Sequence, residues 1–218
     1  MKTLAYNLRF LKMIFFGGPW LKISAVYCFV GFIIEAWGQQ GYMENVMEKS
    51  LSSYTLVISA LPAVILLYYP ILRTCQNSAA VVSEGKEDYI GRVRNLLWSI
   101  SGAYVLYYGI GTYLLSKFVL PEGVWYNSAE GLQLWGLKLL LLLLFLMVVS
   151  LVYGFCMVRN VNPTAVAFVV LAGTFFFWNR IDVNGYARGD FSILCGILVV
   201  LLLAETYLLK RGDFMYWR

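Results

Sequence analysis

The sequence predicts an all-α polytopic membrane protein in which six transmembrane helices follow an N-terminal interfacial helix. Three observations support this fold class: six long apolar stretches, 61% hydrophobic against 13% charged residues, and basic residues concentrated in alternate connections. Soluble domains carry about 25% charged residues, and a helix needs roughly 20 residues to cross a hydrocarbon core about 30 Å thick. Six spans leave no room for a soluble domain, so residues 1–218 are predicted to form a single bundle.

The six predicted spans are not equivalent. Pro62 stands at the centre of the second span and predicts a kink there. The fifth span ends at Trp178 after about 15 residues, or roughly 22 Å of helix. We therefore expect that it does not cross alone and that 179–190 dips into the outer leaflet. The predicted spans are 20–38, 53–72, 95–119, 132–158, 164–178 and 191–209.

The distribution of Lys and Arg predicts the orientation in the membrane. Twelve of them lie in the N-terminus, in 73–94, in 159–163 and in the C-terminus. Only four lie in the other set of connections, 39–52, 117–131 and 179–190. Because cytoplasmic loops carry the excess of basic residues, we predict a multi-pass protein of the cell membrane with both termini in the cytoplasm.

The first nineteen residues are predicted to contain an amphipathic helix that lies on the membrane surface, over 3–16. Its apolar residues recur at helical spacing on one face, with basic residues on the far side. Gly17, Gly18 and Pro19 end it before the first span. An ordinary basic flank is the alternative interpretation.

Several kinds of chemistry are missing from the sequence. It contains no histidine, all four aspartates lie outside the predicted spans, and no GxxxxGK[ST] loop occurs. The four cysteines form no CxxC pair, and Cys28 and Cys156 lie inside predicted spans. We therefore predict no catalytic residue, no metal site and no cofactor on this chain. The net charge of +5 is assigned to loops facing anionic lipid and not to a nucleic-acid partner.

Ionisable groups inside spans are candidates for function because charge in hydrocarbon is costly. Span one carries Ser24, Gly31 and Glu35 on one small and polar stripe, which predicts close helix packing or the lining of a path. Lys138 in span four and Glu205 in span six are the other two intramembrane charges. For all three charged groups, snorkelling to the headgroups is the alternative.

Span three has a second polar face, formed by Ser101, Tyr104, Tyr108 and Gly111 at helical spacing. Tyrosine hydroxyls at this depth need hydrogen-bond partners or water. Two interpretations stay open at this point. The face bonds to a neighbouring helix, or it lines a substrate path or the seam of a dimer.

The cytoplasmic connection 73–94 is predicted to contain a short helix. Acidic residues crowd its start and basic residues follow, an order that suits the helix dipole. Either it is a solvated connector or it docks onto a cytoplasmic partner. Its predicted cap and charged residues are Ser83, Glu84, Glu87, Asp88, Arg92 and Arg94.

This layout resembles the membrane subunits of type-2 ABC-transporter permeases. The resemblance rests on the interfacial helix, the six spans, the connection 83–94 as a coupling helix, the broken segment 163–190 and the charged end 210–213. It lies in layout, since no residue motif is specific. The chain is shorter than most members of that family, and its fifth outer segment is too brief for a full re-entrant hairpin.

The resemblance implies a permease subunit that exports a peptide, a lipid-like molecule or another amphipathic substrate. A separate ATP-binding subunit, with ATP and magnesium on that partner, would supply the energy. A second six-span subunit, identical or different, would complete the pathway. Two other classes remain: the substrate-capturing subunit of a vitamin-uptake transporter, and a non-transporting membrane or immunity subunit.

Overall fold

The described part of the chain consists of helices joined by short connections. The computed structural model describes residues 50–74, 86–119, 129–158, 163–184 and 188–211, with Lys12, Lys22 and Val26 as isolated positions. We number the helices α1 to α6 along the chain, and a π-helical turn, Leu56–Ala60, joins α1 to α2. The helices are α1 (Ser53–Thr55), α2 (Leu61–Thr74), α3 (Lys86–Val119), α4 (Ala129–Val158), α5 (Pro163–Asn184) and α6 (Arg188–Arg211).

Three of these helices are long and apolar enough to cross a membrane: Gly131–Phe155, Ala165–Asp182 and Gly189–Tyr207. They confirm the fourth, fifth and sixth predicted spans as helices of membrane-spanning character. The second predicted span forms a helix whose apolar part, Ser53–Tyr68, is shorter than a full span. The third lies within α3, but its tyrosines, serines and glycines dilute its hydropathy. The first predicted span and most of the interfacial helix lie outside the described residues.

The prediction that the fifth span ends at Trp178 is wrong. Helix α5 continues through the polar residues that follow and ends at Asn184, a length of 22 residues. This is about 33 Å of helix, and the stretch 179–190 consists largely of the end of α5 and the start of α6. Hydropathy falls after Trp178, but Asn, Arg and Asp do not break a helix as Pro would. Arg180 and Asp182 are instead held by partners on other helices.

The prediction of a separate short helix in the connection before span three is also wrong. The residues from Lys86 to Arg94 form the first turns of α3, which runs without interruption to Val119. No Pro or Gly pair separates the charged turns from the apolar ones, so backbone hydrogen bonding continues through both. Residues 83–85 lie outside the described ranges.

The irregularity predicted at Pro62 takes the form of a π-helical turn directly before it. The amide of Leu61 donates to the carbonyl of Leu56, five residues back instead of four. Proline has no amide hydrogen, and its ring crowds the carbonyl four residues earlier, which is Ile58. The wider turn is one of the recognised ways in which a helix accommodates such a break.

Helix α4 occupies the middle of the described bundle and packs against α3, α5 and α6, while α2 packs against α3. The buried core is drawn mainly from α2, α3 and α4. By contrast, α5 and α6 expose large apolar side chains such as Phe168, Phe176, Val200 and Leu203. Apolar side chains in such numbers on the outside suit lipid tails and not water.

Candidate functional site

A row of buried hydroxyl groups runs between α2, α3 and α4. The Tyr68 hydroxyl lies 2.5 Å from Ser101 Oγ and 3.3 Å from the Leu146 carbonyl oxygen. Ser101 Oγ also donates to the Leu97 carbonyl at 2.8 Å, within its own helix. Tyr68 and Ser101 have no exposed surface. One side chain of α2 is therefore hydrogen-bonded to both α3 and α4.

The row continues along α3 through stacked tyrosine rings. The rings of Tyr104 and Tyr108 lie 5.9 Å apart in a stacked arrangement, and both side chains are buried. The Tyr108 hydroxyl donates to the Ser50 carbonyl at 2.6 Å. Towards the other end, the ring of Tyr153 meets that of Tyr68 edge-on at 6.3 Å.

We name this row the hydroxyl seam and define it by Tyr68, Ser101, Tyr104, Tyr108 and Tyr153. From Ser101 to Tyr108 it follows about 10 Å of α3. Its five members offer hydroxyl groups and aromatic faces and carry no charge. Such a surface can hydrogen-bond and stack, but it provides no counter-ion for a charged molecule.

The helical segment 53–74 contributes Tyr68 to the seam and is anchored to α5 at its start. At its start, the Ser53 amide donates to Asp182 Oδ2 on α5 at 2.7 Å. This carboxylate satisfies an amide that the first turn of a helix leaves without a partner. The π-helical turn and Pro62 lie between this anchor and Tyr68.

Two ion pairs hold α6 to its neighbours, one near each end. Asp190, in the first turn of α6, is bonded to Arg180 of α5. Glu205, near the other end, accepts from Arg94 Nη1 of α3 at 2.6 Å. Both carboxylates are buried, with side chains 1% and 8% exposed. Glu205 is therefore buried and paired with a cation on another helix.

The predicted residues of span three come together, but in the bundle interior. Ser101, Tyr104 and Tyr108 are buried within one chain, so in this conformation they have no surface to offer a second subunit. Their hydrogen bonds agree with bonding between helices, the first of the two interpretations given above. A role in a substrate path or dimer seam stays a prediction. Lys138 is half-buried on α4.

The remaining predicted site residues divide into two groups. Of the coupling set, Asp88 is exposed and Arg92 lies 5.3 Å from the ring centre of Tyr89. Arg94 is paired with Glu205, and 29% of its side chain remains exposed. Glu87 lies in the first turn of α3. The others lie outside the described residues: Ser24, Gly31, Glu35, Ser83 and Glu84.

On α3, Gly109 lies against a side chain of α4, whereas Gly111, which the sequence placed on the polar face, does not. A Cβ atom at Gly109 would lie 2.8 Å from Leu139 Cδ1, whereas one at Gly111 would meet nothing within 4 Å. Both glycines stand in the same polar stretch, and choosing between them requires the rotation of α3 relative to α4. Sequence spacing alone does not contain that information.

No metal-binding cluster is assembled among the residues that the structure describes. They contain no group of three or more Cys, Asp or Glu side chains that could bind a metal ion. Ser59, Ser101, Ser150 and Thr174 each donate to a carbonyl of their own helix. A hydroxyl in that position satisfies its own polarity, and none of these four is aimed at a base.

Several residues of the site were not singled out by the sequence. Tyr68 and Tyr153 are two tyrosines among sixteen, and only their burial distinguishes them. The charges of Arg94 and Glu205 were visible, but nothing in a single sequence pairs positions 111 residues apart. The chain matches no protein-family model, no curated protein and no solved structure. Its function therefore has to be argued from geometry.

Proposed function

We propose that this chain is the membrane-spanning permease subunit of an ABC transporter that exports an amphipathic substrate. In this proposal a separate ATP-binding subunit docks onto the charged end of α3, and a second permease subunit completes the pathway. The observation that carries it is the length of α3. At 34 residues it measures about 51 Å, well beyond a hydrocarbon core of about 30 Å.

The surplus length lies at the charged end of the helix. The stretch 95–119 contains one charged residue, Lys117, whereas 86–94 contains five: Lys86, Glu87, Asp88, Arg92 and Arg94. By the distribution of Lys and Arg this end faces the cytoplasm. A rigid helix that continues from the membrane into water can transmit a push from a soluble partner to the bundle.

Charge at this end supports a specific partner. Asp88 is exposed and Arg92 is half-buried against the ring of Tyr89, so both signs are presented on one short length of helix. Charged rims chiefly set partner choice and encounter rate. The chain has no phosphate-binding loop of its own, so transport driven by ATP would require an ATPase partner.

The test is recovery of ATPase activity with the tagged chain from host membranes. We expect wild-type protein to bring down a vanadate-sensitive ATPase, and the double reversal Glu84→Lys, Asp88→Lys to lose it. Lys117→Glu reverses an exposed charge at the opposite end of the same helix and should retain it. Equal recovery with all three proteins, or no ATPase with any, contradicts the docking proposal.

One observation favours a second candidate, a substrate-capturing subunit that binds its ligand alone. The hydroxyl seam lies inside a single chain, where a one-chain binding site would have to be. Stoichiometry separates the two candidates. Two copies of this chain, or one copy with a second six-span subunit, per pair of ATPase subunits supports the permease. A single copy with an unrelated membrane partner supports substrate capture.

A further inference from the structure

We propose that the hydroxyl seam is the path of a neutral, hydrogen-bonding amphipathic substrate. We further propose that the seam opens when α2 (Leu61–Thr74) swings about the π-helical turn that precedes it. This inference rests on the proposed transport function and adds to it the class of substrate and the moving part. It joins two independent observations, the chemistry of the seam and the irregular backbone of the helix that closes it.

The first observation is the composition of the interface. Lipid supplies no hydrophobic force between helices, so packing and hydrogen bonds hold them together. Within α2, the Tyr68 hydroxyl is hydrogen-bonded to Ser101 of α3 and to the Leu146 carbonyl of α4. A substrate hydroxyl or amide can replace these bonds one for one. An interface of leucines offers no such exchange.

The second observation is the position of the irregular turn. On the N-terminal side of this turn, Asp182 accepts a hydrogen bond from the Ser53 amide, and the Tyr108 hydroxyl donates to the Ser50 carbonyl. On its C-terminal side, the contacts of Tyr68 hold α2. A π-helical turn followed by Pro62 concentrates bending between these two anchors. Breaking the Tyr68 contacts releases Leu61–Thr74, while the contacts of Ser50 and Ser53 stay in place.

The substrate class follows from what the seam lacks. Its five defining residues carry hydroxyls and aromatic rings, with no ionised group among them. A charge moved into such a site loses its hydration without gaining a counter-ion, which is costly. A neutral molecule with an apolar or aromatic body and a few hydrogen-bonding groups fits the same surface.

Cysteine labelling of the isolated chain in lipid nanodiscs tests the opening, without any ATPase. The native cysteines are replaced, and Ser101→Cys is compared with Thr174→Cys. Both positions are fully buried, and both hydroxyls bond a carbonyl four residues back in their own helix, but Thr174 lies outside the seam. Methyl methanethiosulfonate, which is small and neutral, should label position 101 and not position 174. Equal rates at the two positions overturn the proposal.

Two further variants test the hydrogen bonds of Tyr68, which hold the seam closed, and the bending at Pro62. Ser101→Cys already replaces one partner of Tyr68, so Tyr68→Phe removes the remaining bond to the Leu146 carbonyl. It should raise labelling at position 101 about fivefold, the weight of one ordinary hydrogen bond, and leave position 174 unchanged. A parallel rise at both positions would mean general loosening and would overturn a local opening. Pro62→Ala, which permits regular α-helical bonding, should slow labelling at position 101. An unchanged rate there overturns the hinge.

Charged reagents test the substrate class. Sulfonate and trimethylammonium methanethiosulfonates should label position 101 at least about tenfold more slowly than the neutral reagent, after correction for their reactivity with a free thiol. Equal corrected rates overturn the neutral class. Labelling that succeeds without any recoverable ATPase would leave the seam standing and remove the ABC assignment, so the two failures are distinguishable.

Discussion

The two sides of α4 are built on different principles. On one side, α2 and α3 meet in the hydroxyl seam, where Tyr68 bonds Ser101 and the Leu146 carbonyl in the buried interior. On the other, α5 and α6 present apolar surfaces to the outside, and α6 is tied to its neighbours by ion pairs near its two ends. Neutral hydrogen bonds lie in the interior, and charges lie near helix ends.

The difference teaches where each kind of bond is useful. A charge is least costly near the membrane surface, where water and headgroups are close. Burying a hydroxyl group deep in the bundle costs less free energy than burying a charge. Its hydrogen bonds can also be exchanged for bonds to another polar group. Ion pairs therefore suit permanent attachment, and the seam suits an interface that opens. Four predictions break or sharpen this comparison, taken from the largest expected effect to the smallest.

Arg94→Ala should give the largest loss. It leaves the Glu205 carboxylate, 8% exposed, without its cation, and breaking a buried pair in this way costs about 3 kcal/mol or more. The free energy of unfolding by SDS in mixed micelles measures the loss. The double variant Arg94→Gln, Glu205→Gln leaves no charge behind and should lose less. If the double variant is as unstable as the single one, the loss of stability does not come from leaving the Glu205 charge unpaired.

Arg180→Ala should cost less, about 1 to 2 kcal/mol in the same measurement. The Arg180 side chain is 45% exposed, so water already shares its charge. The Asp190 carboxylate that remains lies in the first turn of α6, where the helix dipole stabilises a negative charge. A loss equal to that of Arg94→Ala would show that this compensation is absent.

Tyr68→Phe should lower the free energy of unfolding by only about 0.6 to 1 kcal/mol, the range measured for hydrogen bonds between membrane helices. Ser101 keeps its bond to the Leu97 carbonyl, so the loss is confined to the contacts of the tyrosine hydroxyl. Tyr54→Phe removes a hydroxyl from a side chain that is 65% exposed and serves as the control, with no change expected.

Gly109→Ala and Gly111→Ala should differ in sign although each is worth less than about 1 kcal/mol. At Gly109 the new methyl group displaces the flexible end of Leu139, and this cost outweighs the gain in helix propensity. At Gly111 the methyl group meets open space, so propensity alone acts and the helix gains. Melting temperatures of the two variants compare them directly, and a gain at both positions would show that Leu139 moves aside freely.

Sequence reasoning predicted the helical class and the three spans in the second half of the chain, because long apolar runs determine both. It erred where polar residues stand next to an apolar run. It ended the fifth helix at Trp178 and separated 83–94 from span three, since hydropathy marks the change of environment and not the end of a helix. In both places the backbone continues because nothing breaks its hydrogen bonds.

The candidate site was predictable only in part, for a geometric reason. Helical spacing placed Ser101, Tyr104 and Tyr108 on one face of one helix. It could not say that Tyr68 stands opposite, because that depends on how α2 is rotated and on its depth in the bilayer. The same limit hid the pairing of Arg94 with Glu205 and the contact of Gly109 with Leu139.

The two carboxylates of α6 also bear on how the protein is made. Both of their partners, Arg94 and Arg180, precede α6 in the chain and leave the ribosome earlier. When α6 enters the bilayer, Asp190 and Glu205 are costly there until they reach those arginines. Membrane integration of α6 and its docking onto the bundle thus become one step.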